Sequence, residues 1–330
     1  MTQIKPLSSM ETPRFADVAT FFRLPVVKDL NKLDYCIAGV PWDGGTTNRP
    51  GARHGPREIR NASSLVRLYH PVSLKSPYDK FNIADIGDCP VNPADLQDSL
   101  EKIEKFYANI FASKTIPLSI GGDHLVSLPI LRAIAKKKPL GLFQFDSHSD
   151  TWDTYFGGFK YTHGTPFRRP IEENLIDPKK YVILGVRGAL YDPNDLTWAR
   201  EQGVTIITID DYYEMGFSKC VEKIYTVLGN TDTYFTFDID GIDPTFAPGT
   251  GTPEVGGFNV REAQLITRSL KNLKFIGGDV VEVSPPFDVK NITSHVAAPI
   301  AFDSAIEHSP LVQHLHNLQN PAKDAKHQEP

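Results

Sequence analysis

Residues 140–154 read LGLFQFDSHSDTWDT, an apolar run that ends in three ionisable residues at alternate positions, Asp146, His148 and Asp150. The continuous apolar part is typical of a β-strand that is covered on both faces. If the backbone stays extended, the three ionisable side chains point the same way, because side chains alternate along a strand. Such a cluster is costly at the end of a buried strand unless a positive charge lies against it. The stretch therefore predicts a buried strand that ends in a site for a cation.

Further runs of strand length lie on both sides of this stretch, at residues 35–40, 81–87, 115–121, 181–186, 204–210, 233–240 and 274–283. Most of them are continuously apolar, which indicates parallel strands with both faces covered. Helical spacing fills several of the gaps, most clearly in the apolar series Leu96, Leu100, Ile103, Tyr107 and Ile110. Alternating β and α units predict an α/β fold, a three-layer α/β/α domain with a mainly parallel sheet of about eight strands.

The whole chain is expected to form one domain. No linker or internal repeat divides residues 1–330. We assign about residues 1–20 to an N-terminal extension and expect the polar, proline-containing residues 317–330 to be a disordered tail.

The composition excludes several classes of protein. The chain of 330 residues carries a formal net charge of −5, so it has no basic excess with which to bind nucleic acid. It contains neither the apolar core of a signal peptide nor a run of about 18 apolar residues, so no membrane segment is expected. The three cysteines, Cys36, Cys89 and Cys220, lie far apart without a CxxC pair. We therefore expect reduced thiols in a cytoplasmic protein.

Polar clusters follow three of the predicted strands: GGDH at 121–124, DSHSD at 146–150 and DID at 238–240. An aspartate at such a position is often only the cap of the next helix. Ligands of parallel sheets, however, bind at the carboxyl ends of the strands, and three clusters there are hard to explain as caps. Six residues of these clusters together supply two imidazoles and four carboxylates: His124, Asp146, His148, Asp150, Asp238 and Asp240.

Six ligand-type residues are too many for one catalytic zinc, which takes about three protein ligands. Two divalent ions fit the set better, and oxygen ligands combined with imidazole favour Mn²⁺. Two such ions can activate one water and polarise the group that it attacks. The clusters therefore predict a hydrolase with a two-metal centre.

Longer blocks of the sequence resemble the ureohydrolase superfamily, which includes arginase and agmatinase. The blocks are GGDHLVSLP, FDSHSD, FDIDGIDPTFAPGTGTPEVGG and GGDVVEVSP. GVPWDGGTTNRPGARHGPREIR and YTHGTPFRR are similar to the branch of agmatinases and guanidino-acid hydrolases. The matches run in order from about residue 35 to about residue 300, so they cover nearly the whole chain and imply an arginase-like fold.

The resemblance implies roles for individual residues. The six clustered residues match the family's ligands for two Mn²⁺ ions, with Ni²⁺ or Co²⁺ as alternatives. Asp150 would accept a proton during attack of water on the guanidinium carbon, and His163 matches the family's proton shuttle. Glu282 matches the carboxylate that pairs with the guanidinium, and Thr252 lies where the family places a residue beside it. Hydrolysis to urea and an amine is implied, in a homo-oligomer that is a trimer or a hexamer.

The resemblance leaves the substrate open. Arginase-like enzymes place a small polar residue just after the second aspartate of the DSHSD block, where this chain has Trp152. An indole cannot replace that residue, so arginine is not expected. The loop that follows contains both Asp153, which suits the ammonium of agmatine, and Lys160, Arg168 and Arg169, which suit the carboxylate of a guanidino acid, so it does not decide between them. We place agmatine slightly ahead of 4-guanidinobutyrate and 3-guanidinopropionate.

Three alternatives are retained beside this prediction. One is a nickel enzyme for small guanidines, another is a single-zinc deacetylase of related fold, and the third is a non-catalytic protein that keeps the fold. Ser147 and Ser149, which stand between the ionisable residues of DSHSD, are expected only to fill the opposite face of the strand.

Overall fold

The computed structural model describes residues 3–71, 74 and 76–303. Its centre is a sheet of eight strands: β1 Tyr35–Gly39, β2 Ile83–Asp88, β3 Ile116–Ile120, β4 Leu140–Phe145, β5 Ile176–Val186, β6 Thr205–Thr208, β7 Asp232–Asp238 and β8 Lys274–Val281. Every predicted strand is present, and every pairing between these strands is parallel.

Nine α-helices of the described residues accompany the sheet: α1 Gly55–Ser63, α2 Leu96–Ala112, α3 Ser127–Ile134, α4 Arg168–Glu172, α5 Thr197–Gln202, α6 Ile209–Met215, α7 Phe217–Leu228, α8 Val260–Ser269 and α9 Ile292–Phe302. Successive residues of a strand enter different apolar clusters: Leu142 packs with α2 and α3, whereas Phe143 packs with α7, α8 and α9. Helices therefore cover both faces of the sheet, and the predicted three layers are confirmed.

The order of the strands brings the polar clusters together. Across the sheet the order is β2-β1-β3-β8-β7-β4-β5-β6. The chain passes from β3 to β4 across a gap that β7 and β8 later fill, so four strands that are distant in sequence become neighbours. Their carboxyl ends carry GGDH, Glu282, DID and DSHSD, in that spatial order. The site therefore lies at the carboxyl edge of the central strands, as expected for a parallel sheet.

Aromatic stacking holds β4 against β7 directly beneath the site. Phe145 and Phe237 are paired in register, and their rings stack with centroids 4.3 Å apart. Such a pair contributes about 0.5–1.5 kcal/mol beyond the area that it buries. Both rings are fully buried, so this pair supports the strand ends that follow it, at Asp146 and Asp238.

The described N-terminal segment has little regular structure. Residues 3–20, which belong to the predicted N-terminal extension, form turns and irregular segments. Residues 317–330, the predicted tail, lie outside the described residues. Among the helices that the structure describes, none combines the length and the apolar character needed to span a membrane.

Candidate metal centre and active site

Four buried side chains from three strand ends form a first group of metal-ligand type: His124, Asp146, Asp150 and Asp238. The Nδ1 atom of His124 lies 3.2 Å from Asp146 Oδ2, 2.9 Å from Asp150 Oδ2 and 3.1 Å from Asp238 Oδ2. Asp150 has a φ of 51°, a left-handed conformation that is costly for a residue other than glycine. One nitrogen is thus surrounded by three carboxylate oxygens.

A second group adjoins the first and shares Asp146 with it. His148 Nδ1 lies 3.1 Å from Asp240 Oδ2 and 3.6 Å from Asp146 Oδ1. Asp146 therefore turns Oδ2 toward the first group and Oδ1 toward the second. A carboxylate that bridges in this way suits two neighbouring cations. The structure thus brings together all six residues that the sequence singled out as metal ligands.

Hydrogen bonding prepares His124 to hold a cation. Its Nε2 lies 2.7 Å from the hydroxyl of Thr236, which donates to Asp279 Oδ1 at 2.6 Å. Because the Thr236 proton is used by Asp279, the imidazole donates through Nε2–H, and Nδ1 is the ring atom left to face the three carboxylates. Nδ1 is buried. A buried nitrogen among three carboxylate oxygens needs either a proton or a metal cation, so the residues present fit a metal ion.

The electrostatics of the group give the same result. Burial and the neighbouring Asp146 raise the pKa of Asp150 to about 6. Burial and Asp240 raise the pKa of Asp238 well above its usual range. Burial lowers the pKa of His124, but its three carboxylate neighbours outweigh this effect and raise that pKa well above 6.5. Without added positive charge the cluster must take up protons, and divalent cations would replace them.

Several residues that the sequence analysis missed support the ligands. Gln144 Nε2 donates to Asp146 Oδ2 at 2.6 Å, and the hydroxyl of Tyr181 donates to the other end of the same amide. Gln144 and Thr236 each lie two positions before a predicted ligand inside an apolar strand. A polar residue at that spacing shares the face of the ligand, so this pattern could have identified both of them.

The expected role of Ser147 is wrong. Its hydroxyl donates to Asp240 Oδ1 at 2.6 Å, so it contacts a predicted ligand instead of filling the opposite face of a strand. The strand β4 ends at Phe145, before the block, and the backbone that follows no longer alternates as an extended strand does. The hydroxyl of Ser149, in contrast, accepts from Thr151 at 3.1 Å.

His163 and Glu282 form a second polar unit beside the clusters. Glu282 Oε1 lies 3.0 Å from His163 Nδ1 and accepts from the backbone N–H of His124 at 2.9 Å. Burial lowers the pKa of His163, but Glu282 outweighs this effect and raises the pKa to about 9. Thr47 reaches His163 Nε2 with its hydroxyl at 2.9 Å and its N–H at 3.2 Å. It can therefore accept from the charged ring or donate to the neutral ring.

A small cavity of about 100 Å³ opens onto both units. Its walls include Thr252, Glu254 and the rings of Trp152, Tyr155 and Tyr191. The ring of Trp152 makes edge contacts with Tyr155 and Tyr191, at centroid distances of 6.0 and 6.1 Å. Thr252 donates to Asp240 Oδ2 at 3.2 Å. Trp152 and Thr252 thus line the same cavity as His163 and Glu282.

The loop charges that left the substrate open do not line this cavity. Asp153 pairs with Arg169 at 2.9 Å and with Arg168 at 3.5 Å. The guanidinium of Arg168 also lies over the ring of Trp198, 4.1 Å from its centroid. Lys160 is exposed and is absent from the cavity wall. Among the described residues of the cavity wall, Glu254 has the one carboxylate that belongs neither to the two metal-ligand groups nor to the His163–Glu282 pair.

Comparison with known proteins identifies the family. A model of the arginase family matches residues 33–306. The chain belongs to the arginase family. It is 54% identical to the guanidinopropionase of Pseudomonas aeruginosa over 299 residues, which cover 91% of the chain and 94% of that relative. It is 42% identical to the guanidinobutyrase of the same organism, with 91% and 95% covered.

Solved structures of the arginase family share the fold. Proclavaminate amidinohydrolase from Streptomyces clavuligerus superposes with a TM-score of 0.86 at 38% identity, covering 92% of this chain and 99% of that one. An arginase from Bacillus subtilis gives a TM-score of 0.70 at 28% identity, with 82% and 97% covered. The predicted family, fold and enzyme class, a hydrolase of linear guanidino compounds, are confirmed.

Proposed function

We propose that this member of the arginase family hydrolyses a short guanidino acid, of the 3-guanidinopropionate class, to urea and the corresponding amino acid. The observation that carries the proposal is the convergence of two Asp/His groups, bridged by Asp146, with the His163–Glu282 pair around one cavity. The choice of a guanidino acid is supported by the 54% identity to a guanidinopropionase.

When bound, two divalent ions would supply hydroxide at neutral pH, because such ions lower the pKa of water. The chain's own residues provide the other functions that the reaction needs. Glu282 Oε1 is taken by His124 and His163, so Oε2 is left to pair with the guanidinium of the substrate. As the bond from the guanidinium carbon to the alkyl nitrogen breaks, the leaving amine needs a proton. The carboxylate of Asp150 lies on the cavity wall, where it can pass on that proton.

His163 suits the exchange of protons with solvent. It lies on the cavity wall with only 7% of its surface exposed. Glu282 stabilises its charged form, and Thr47 has a hydrogen-bonding group for either protonation state. The ring can therefore lose and regain a proton without breaking its contacts.

Agmatine is the second candidate substrate, and the position of Glu254 favours it. The carboxylate of Glu254 lines the cavity and would attract the ammonium at the far end of agmatine. Its Oε1 also lies 3.9 Å from His148 Nε2, so part of its charge faces that imidazole. The carboxylate expected from sequence, Asp153, is already paired with two arginines.

A urea-release assay with purified, Mn²⁺-loaded protein tests the proposal. The panel comprises 3-guanidinopropionate, 4-guanidinobutyrate, agmatine, arginine and guanidine, with a parallel series in Ni²⁺. We expect the highest kcat/KM for 3-guanidinopropionate. A higher value for agmatine would support the second candidate, and a higher value for guanidine with Ni²⁺ would contradict both.

We further propose Mn²⁺ as the native metal, with two ions per chain. The donor set consists of carboxylate oxygens and two imidazoles. Such a set suits Mn²⁺ better than it suits the metals that prefer sulfur ligands. Elemental analysis of protein purified without chelators tests this. One tightly bound zinc per chain would instead favour the deacetylase alternative.

A homo-oligomer, as a trimer or a hexamer, completes the proposal. Met10 and Phe15 of the N-terminal segment are each 95% exposed, and Val18 is 79% exposed. Such exposed apolar groups are typical of surfaces that bind a partner. Light scattering should show an oligomer that a Phe15→Asp variant weakens, whereas a wild-type monomer would contradict the proposal.

The free, buried cysteines Cys36, Cys89 and Cys220 support the proposed cytoplasmic location.

A further inference from the structure

Ser147 contacts two residues of the second metal-ligand group. Its hydroxyl oxygen lies 2.6 Å from Asp240 Oδ1 and 3.1 Å from His148 Nδ1, and its backbone N–H donates to the same Oδ1 at 3.2 Å. We propose that Ser147 is a positioning residue that holds Asp240 through Oδ1, presents Oδ2 to the second ion and so sets the affinity for that ion. This inference rests on the two-metal centre of the proposed function.

The direction of the hydrogen bond follows from the chemistry of the two groups. An ionised carboxylate can only accept, so the single proton of the Ser147 hydroxyl points to Asp240. A hydrogen bond to a charged oxygen at this distance is among the stronger ones in proteins. Oδ1 is thus held by two donors from one residue. Oδ2 faces His148 Nδ1 at 3.1 Å and accepts from Thr252 at 3.2 Å.

The same bond affects His148. The Nε2 atom of His148 faces Glu254, and its Nδ1 faces the group. Because the Ser147 proton is used by Asp240, the hydroxyl oxygen turns its lone pairs toward Nδ1. The negative end of the hydroxyl dipole is therefore added to the second group, where it favours a cation. Ser147 is completely buried, so water cannot easily replace its hydroxyl.

The effect should be confined to one of the two ions. In the first group Asp238 Oδ1 is held by the N–H of Asp240 at 2.8 Å, and Asp146 by Gln144, without help from Ser147. Residues that orient metal ligands in this way typically change metal affinity by about 10–100-fold when they are removed. Loss of the Ser147 hydroxyl should therefore weaken the second ion and leave the first ion unchanged.

The chain provides a matched control in the same block, DSHSD. Ser149 is also buried, at 1% exposure, and its hydroxyl bonds to Thr151. Within the described residues, no hydrogen bond joins the Ser149 side chain to any of the six candidate ligands. Ser147→Ala and Ser149→Ala thus remove the same atom from the same strand end, and only the first removal touches a ligand.

The test is a titration of metal-free full-length protein with Mn²⁺ against a chelating indicator, together with electron paramagnetic resonance spectra. Wild type and Ser149→Ala should bind two ions and show the signal of a coupled pair. Ser147→Ala should bind the first ion normally and the second about tenfold more weakly, so that isolated Mn²⁺ dominates at low metal. Ser147→Thr, which keeps the hydroxyl, should restore the second ion, and thermal unfolding of each metal-free variant checks its fold.

Three results would overturn the inference. In the first, Ser147→Ala binds the second ion with an affinity within about twofold of that of wild type. In the second, Ser147→Ala loses affinity for both ions by the same factor. In the third, wild type binds a single ion. Urea release separates this inference from the proposed function. A wild type that binds two ions but cleaves no guanidino compound refutes the function and leaves the role of Ser147 intact. Normal metal binding by Ser147→Ala refutes the role of Ser147 and leaves the proposed function intact.

Discussion

The pairing of His163 with Glu282 should make the stability of the metal-free protein depend on pH. Burial opposes the charge on His163, but Glu282 raises its pKa from the ordinary value of 6.5 to about 9. A raised folded-state pKa stabilises the fold fully below about pH 6.5, and this stabilisation is lost as the pH rises through about 9. Each tenfold change in proton affinity is worth about 1.4 kcal/mol, so the pair contributes up to about 3 kcal/mol at low pH.

The assay is urea-induced unfolding of metal-free wild type, His163→Gln and His295→Gln between about pH 6 and pH 10. The free energy of unfolding of wild type, relative to His163→Gln, should fall by up to about 3 kcal/mol over this range. His295 is exposed on α9, so the control His295→Gln should follow wild type. If His163→Gln lost stability with pH exactly as wild type does, Glu282 would not hold a proton on His163, and the proposed shuttle would lose its basis.

Two further substitutions test the support of the ligands and the choice of substrate. Thr236→Val removes the hydroxyl that links His124 to Asp279. Chelator competition should therefore show an affinity for Mn²⁺ that is about 10–100-fold weaker. An unchanged affinity would mean that the link does not orient the imidazole. Glu254→Gln removes the carboxylate from the cavity wall, so the ratio of kcat/KM for agmatine to that for 3-guanidinopropionate should fall by about fivefold or more. A constant ratio would show that Glu254 does not contact the far end of the substrate.

The sheet and the candidate ligands could be predicted from sequence because both leave local patterns. Continuous apolar runs mark the parallel strands, and Asp or His residues directly after such a run mark the carboxyl edge. The runs at 140–146 and 233–240 therefore placed β4 and β7, together with the residues that follow them. The neighbouring positions of these two strands, however, result from the order in which the sheet is assembled.

The supporting contacts could not be predicted because they join residues that are distant in sequence. The bond from Thr47 to His163 spans 116 positions, and that from Ser147 to Asp240 spans 93. The pairing of Asp153 with Arg169 depends on the path of an irregular loop. The expectation that side chains alternate between the two faces of the strand also failed at Ser147. It assumed an extended strand beyond Phe145, where β4 has already ended.

The central claim is that the ends of three strands, β3, β4 and β7, hold two metal ions with which the chain hydrolyses a guanidino compound. The most direct measurement is the rate of urea release from 3-guanidinopropionate as a function of the number of Mn²⁺ ions bound per chain. The rate should appear as the second ion binds, and a folded Asp238→Asn variant should be at least about 100-fold slower. A folded wild type with two bound ions that releases no urea from any compound of the panel would contradict the claim, as would an Asp238→Asn variant of full activity.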